Sequence, residues 1–198
     1  MDMTMTLDQI ADGKWLNPPA DHRLDKTGLW LRTKDRTDFW RHTHYGFVRD
    51  DGHFWGVPAP SAFTAVVTFE GRYETLYDQA GMMLRIDDSQ WIKLGIEHSD
   101  GMTNFSIVVT RGNSDWSVIG QPLISGPQSV RLTRVGGAVI AHFRRPGGGW
   151  QLMRVADFPD APAAIGPMAC SPERSGFEVV FTGFQVTAPI EHPLHDPG

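Results

Sequence analysis

The stretch YDQAGMMLRIDDSQWIKLGIE, residues 77–97, holds a phenol, an amide, an ammonium and a carboxylate at Tyr77, Gln79, Lys93 and Glu97. Together they can donate to and accept from the hydroxyls of a small polyhydroxy ligand, and polar groups converging in a hollow are the usual form of a binding site. Acid–base chemistry asks for more. A retaining glycosidase needs two carboxyl groups about 5–5.5 Å apart, whereas Glu97 is the one acid that can be placed here, with Asp78 expected on the opposite face. A lyase acting on a uronate polymer needs a cation to neutralise the carboxylate and a Tyr, His or Lys base. Tyr77 and Lys93 have those chemistries, but no Arg-rich companion strand is recognisable. Binding therefore fits these residues better than catalysis.

A second concentration of functional groups is DFWRHTHYGFVRDDGHFW, residues 38–55. His42 and His44 are two apart and would share a face if that segment were a strand, with His53 approaching across a hairpin, so the three are weak candidates for a metal site. No third ligand set or supporting shell is legible, and no cofactor is expected. His192, His195 and Asp196 near the C-terminus would have to order a Pro-rich tail to hold a metal. The single thiol, Cys170, reads as a small buried hydrophobe.

The elements that must position Tyr77 to Glu97 are two strands of a hairpin. Ala80, Met82, Leu84 and Ile86 alternate with Gln79, Gly81, Met83 and Arg85, and Ile92, Leu94 and Ile96 alternate with Trp91, Lys93, Gly95 and Glu97. Burying both apolar sets on one face fixes the register, because a slip of one residue would turn one set into water. Met82 then faces Leu94 and Ala80 faces Ile96. On the other face Gln79 pairs with Glu97, Gly81 with Gly95, Met83 with Lys93 and Arg85 with Trp91. FSIVVT, residues 105–110, continues the sheet after a connection through 98–103 and adds Ser106 near Glu97 and Thr110 near Lys93. A facing Gly pair predicts a shallow trough rimmed by Tyr77, Gln79, Lys93, Glu97, Ser106 and Thr110. Trp91 and Trp116 are the candidate stacking walls. A plain solvated sheet face would show the same alternation, so a structural reading of this surface stands beside the functional one.

Period-two alternation recurs along the chain, for example in AFTAVVTFE at 62–70, AVIAHFR at 138–144 and FEVVFTGFQV at 177–186. Each marks a half-buried strand, and Gly136-Gly137 marks a tight turn. The 21 Gly and 14 Pro among 198 residues punctuate a turn-rich all-β chain. Eleven or more strands with short connections favour a sandwich of two antiparallel sheets. One domain is expected over 1–198, with its core at about 15–187 and a loose tail at 188–198. A net charge of −5 with dispersed basic residues argues against a nucleic-acid partner. No segment has the length of a membrane span or the look of a secretory leader. With one Cys, a cytoplasmic location is expected.

TDFW at 37–40, HYGF at 44–47, DGHF at 51–54, YDQAGMM at 77–83, WIKLGIE at 91–97, VVT at 108–110 and SDWS at 114–117 resemble, in that order, the domain family that includes a yeast regulator of enolase. The resemblance covers about residues 15–186. It implies a concanavalin A-like jelly-roll sandwich, the fold of many lectins and glucanases, and by analogy a carbohydrate ligand. The resulting expectation is a non-catalytic ligand-binding or metabolic regulatory protein. It would take a small carbohydrate or sugar-like metabolite on the concave sheet face through Tyr77, Gln79, Lys93, Glu97, Trp91, Trp116, Ser106 and Thr110. The alternatives are a protein-interaction module using the same face, with an unidentified protein partner, and, third, a lyase-like enzyme.

Overall fold

The computed structural model describes residues 10–122, 125–145 and 147–195. Asp196 of the tail and Pro146 lie outside the described residues. Sixteen strands run through the described chain: β1 (Lys14–Leu16), β2 (Asp21–Asp25), β3 (Gly28–Arg32), β4 (Phe39–Arg41), β5 (Val48–Asp50), β6 (His53–Pro58), β7 (Phe63–Gly71) and β8 (Gln79–Arg85), followed by β9 (Gln90–Ser99), β10 (Met102–Arg111), β11 (Asn113–Ile119), β12 (Gln128–Val135), β13 (Ala138–Arg144), β14 (Trp150–Asp157), β15 (Ala164–Cys170) and β16 (Glu178–Thr187). Two antiparallel seven-stranded sheets, β1-β6-β15-β8-β9-β10-β11 and β14-β13-β12-β7-β16-β3-β2, face each other as the expected jelly-roll sandwich, and β4-β5 forms a separate two-stranded ribbon.

Alternation drives the packing. Phe63, Ala65, Val67 and Phe69 of β7 point inward with Phe181, Phe184 and Val186 of β16, and meet Met82, Leu84, Leu94, Phe105 and Ile107 of the other sheet in one continuous core. Phe105 and Phe143 stack with ring centroids 4.3 Å apart, joining the sheets. Burying an aromatic or large aliphatic side chain contributes about 1.5–3 kcal/mol, so this interior is the main source of stability.

The hairpin that carries the candidate site has the expected register: Gln79 faces Glu97, Gly81 faces Gly95, Met83 faces Lys93 and Arg85 faces Trp91. The next turn is tighter than the expected connection through 98–103. Asp100 and Gly101, with φ of 53° and 72°, make a two-residue turn of the kind that demands positive φ at both positions, and Ser99 already pairs with Met102. The facing glycines mark a pinch between strands. A Cβ built on Gly81 would stand 2.1 Å from the Leu94 carbonyl oxygen and 2.6 Å from the Gly95 Cα, a separation that only glycine tolerates.

The first sheet is covered on both faces. Phe39, Trp40, Phe54, Met83, Trp91, Val108, Met168 and Cys170 form a second buried cluster on its outward face, with β4-β5 laid over it as a flap. Arg85 clamps the flap through a bidentate ion pair to Asp50, both contacts at 2.8 Å, and its guanidinium lies 5.9 Å from the Phe39 ring centroid. Asn17 Nδ2 donates to the Asp50 and Gly52 carbonyls, and Arg41 N donates to Ser114 Oγ. Most of the face that alternation reads as solvated is therefore buried.

Candidate functional site

Beside the flap, the outward face keeps a recess of about 320 Å³ including its open mouth. Its floor comes from the first sheet: Gln79 from β8, and Lys93 and Glu97 from β9. Trp40 and Tyr45 reach it from the flap, Tyr77 from the turn before β8, and Trp116 from edge strand β11. Tyr77 has φ of 64° and sits in a turn, outside the strand expected for it. Its hydroxyl meets that of Tyr45 at 3.0 Å, and its ring meets Trp116 edge-on at 6.5 Å.

Lys93 Nζ donates to Gln79 Oε1 at 2.8 Å and to Asp38 Oδ1 at 3.1 Å. Burial lowers the pKa of this ammonium, but the charge and hydrogen bond of Asp38 together with nearby Cys170 and Glu97 outweigh it and leave Lys93 above its ordinary value. Glu97 Oε2 accepts a hydrogen bond from Ser106 Oγ at 2.8 Å, and the Trp116 indole N–H donates to the same hydroxyl at 2.9 Å. Burial pushes the Glu97 carboxyl up, and the pull of Lys93 and Ser106 only partly offsets it. The hydrogen bond between the Tyr77 and Tyr45 hydroxyls holds Tyr77 well above its usual range, which disfavours it as the proton-abstracting base of a lyase.

Several expectations need correction. Trp91 lies on the expected face but is fully buried against Phe39, ring centroids 6.0 Å apart, so it offers no stacking wall. Thr110 faces Trp91, is buried and hydrogen-bonds Ser114 Oγ at 2.9 Å; it is beneath the flap and off the rim. The hollow is also less open than expected: Lys93 and Glu97 are 4% and 6% exposed. His42 and His44 fall in the flap turn with positive φ, so no strand aligns them. His53 is buried and its ring nitrogens meet the Asn17 carbonyl and the Lys34 amide. Among the described residues no group of three or more His, Cys, Asp or Glu could hold a metal.

Asp38, Trp40 and Tyr45 were missed as site residues. The signal for the flap was present in the density of aromatics in DFWRHTHYGF, but its strands are three residues each and show no period long enough to register. Asn104, opposite Glu97 and buried, lies outside the 105–110 segment whose alternation marks the third strand.

This geometry meets known proteins as follows. The family model described as "Protein of unknown function (DUF1349)" matches residues 15–189. The chain belongs to this family. It is 45% identical over 189 residues to "Regulation of enolase protein 1" of Saccharomyces cerevisiae, covering 95% of this chain and 96% of that one. A crystal structure of a functionally unknown protein from Saccharomyces cerevisiae superposes with a TM-score of 0.87 at 45% identity, over 91% of this chain and 98% of that one. At 14% identity a GH43 protein of Bacillus licheniformis gives 0.66, over 89% of this chain and 37% of that one. A lectin of Bauhinia forficata, in complex with GalNAc, gives 0.59 at 11% identity over 95% of this chain and 99% of that one. The last two are likenesses of fold, and they agree with the concanavalin A-like sandwich.

Proposed function

We propose that this member of the family is a non-catalytic binding protein whose recess takes one sugar-sized polyhydroxy ring. The observation that carries the reading is the composition of the recess: an ammonium, an amide and a carboxylate on its floor, framed by four aromatic side chains. Sugar hydroxyls both donate and accept, matching the floor, and the apolar face of a sugar ring suits Trp116, 39% exposed at the rim. The enclosed space is only about 30 Å³, well below an ordinary ligand pocket, so a ring would rest at the mouth with one substituent inserted, which favours a single ring over a polymer. Asp38, the acid that lines the recess beside Glu97, is engaged by Lys93. The buried free thiol of Cys170 supports a reducing, cytoplasmic setting, and no helix among the described residues is long and apolar enough to cross a membrane.

Tryptophan emission followed during titration with a panel of monosaccharides tests this reading. Saturable change that disappears in Trp116→Ala, with thermal stability retained, supports it; a flat response to every sugar rejects it.

A second reading has its own observation. Tyr45, Phe47, Val48, Trp116 and Val118 are each about two-fifths or more exposed on the flap and on β11, an edge strand that pairs only with β10. Exposed apolar surface beside an open strand edge favours a protein contact, in keeping with a relative named for regulation of enolase. Retention of enolase by the wild-type chain and its loss on Phe47→Asp would establish that reading, and failure to retain enolase would remove it.

A further inference from the structure

Four aromatic residues around the recess form a linked collar. Trp40 and Tyr45 pack edge-on at 5.7 Å, the Tyr45 and Tyr77 hydroxyls touch at 3.0 Å, and Tyr77 and Trp116 pack edge-on at 6.5 Å. Each ring also lines the recess. Beneath them, two carboxylates share one ammonium. Lys93 is committed to Asp38 at 3.1 Å and to the Gln79 amide oxygen at 2.8 Å. Among the described residues no ammonium or guanidinium lies within ion-pair distance of Glu97, although Glu97 is only 6% exposed. Lys93, shared with Asp38, offsets only part of the cost of burying this carboxylate, and the environment that relieves the remainder is a further cation.

We infer that the recess selects a ligand bearing a protonated amine, seated between the aromatic collar and the Glu97 carboxylate. The inference rests on the proposed binding of a sugar-sized ring for the rest of the ligand. An anionic ligand would meet Glu97 across a lysine already neutralised by Asp38. A neutral polyol would leave the carboxylate with only the partial compensation of Lys93 and Ser106. A cation gains from both features, because aromatic faces attract positive charge as the carboxylate does. An amine can be carried by an amino sugar or by a lysine side chain of another protein, and both present the same group to Glu97.

Matched probes separate the possibilities. Calorimetric titration below the ligand amine's pKa compares glucosamine with glucose, which differ at one position by an amine for a hydroxyl, and adds Nα-acetyl-lysine methylamide as the side-chain probe. The expected result is glucosamine binding at least tenfold more tightly than glucose, with the two brought to the same affinity by Glu97→Gln. Trp116→Phe, which keeps a ring at the rim, should retain the preference. Equal affinities in the wild-type chain overturn the amine assignment and leave sugar binding standing. Binding of the lysine probe alone keeps the amine assignment and overturns the sugar reading. Binding of none of the three overturns both.

Discussion

Lys93 and Asp38, 55 residues apart in the chain, form an ion pair of 3.1 Å with side chains 4% and 12% exposed. The pair ties the flap to the first sheet from inside the recess. Lys93→Met would leave the Asp38 carboxylate buried without its partner, and a broken buried pair costs about 3–5 kcal/mol. The expected outcome is an unfolding free energy in urea lower by that amount, with much of it recovered in Lys93→Met with Asp38→Asn. A single substitution within about 1 kcal/mol of the parent would mean that the pair does not hold the flap.

Glu97 should make the unliganded protein less stable as the solution becomes less acidic. Its carboxyl is pushed up by burial, facing Lys93, Ser106 and Trp116 with Asp38 beyond. The folded chain therefore holds the proton more tightly than the unfolded one, and stability falls as pH rises from the ordinary carboxylate value through the raised one. Glu97→Gln removes that loss. The variant is expected to melt higher than the parent at about pH 7 and to lose its advantage at about pH 3, where both forms are neutral. Thermal melts across that range check the sign.

The glycine pair is expected to be intolerant of a single methyl. With a Cβ on Gly95 only 2.0 Å from the Ala80 carbonyl oxygen, Gly95→Ala forces β8 and β9 apart, and overpacking of this kind costs about 1–3 kcal/mol. Denaturant unfolding measures the loss. A neutral substitution would contradict the pinch.

Phe39 and Trp116 should separate stability from binding. Phe39→Ala empties the space above Trp91 and is expected to cost about 3–5 kcal/mol, with a red shift in emission as the Trp91 indole gains water. Trp116→Ala removes a rim residue and is expected to change stability by less than about 1.5 kcal/mol, the worth of its hydrogen bond to Ser106, while abolishing the ligand-dependent emission change.

Much of the sandwich was legible because strand alternation encodes it. The pairing of Gln79 with Glu97 and of Met83 with Lys93 followed from keeping two apolar sets on one side, a constraint that allows no one-residue slip. What alternation could not reveal was the cover. The flap strands hold three residues apiece, and the turn between them bends through His42 and His44 at positive φ, a conformation carrying no periodic signal. Alternation alone therefore leaves Trp91 and Thr110 on the wet face, although Phe39 and Ser114 dry them. Asp38 could not be paired with Lys93 from spacing, since a contact across 55 residues exists only once the flap has folded over.

The flap turn has a further meaning for how relatives diverge. Residues 42–47 deliver Tyr45 to the entrance, yet the ribbon is pinned at its base by Arg85 and Asp50. A lengthened, shortened or rewritten turn would thus reshape what is admitted while both sheets stay as they are, separating the evolution of ligand choice from the evolution of the scaffold.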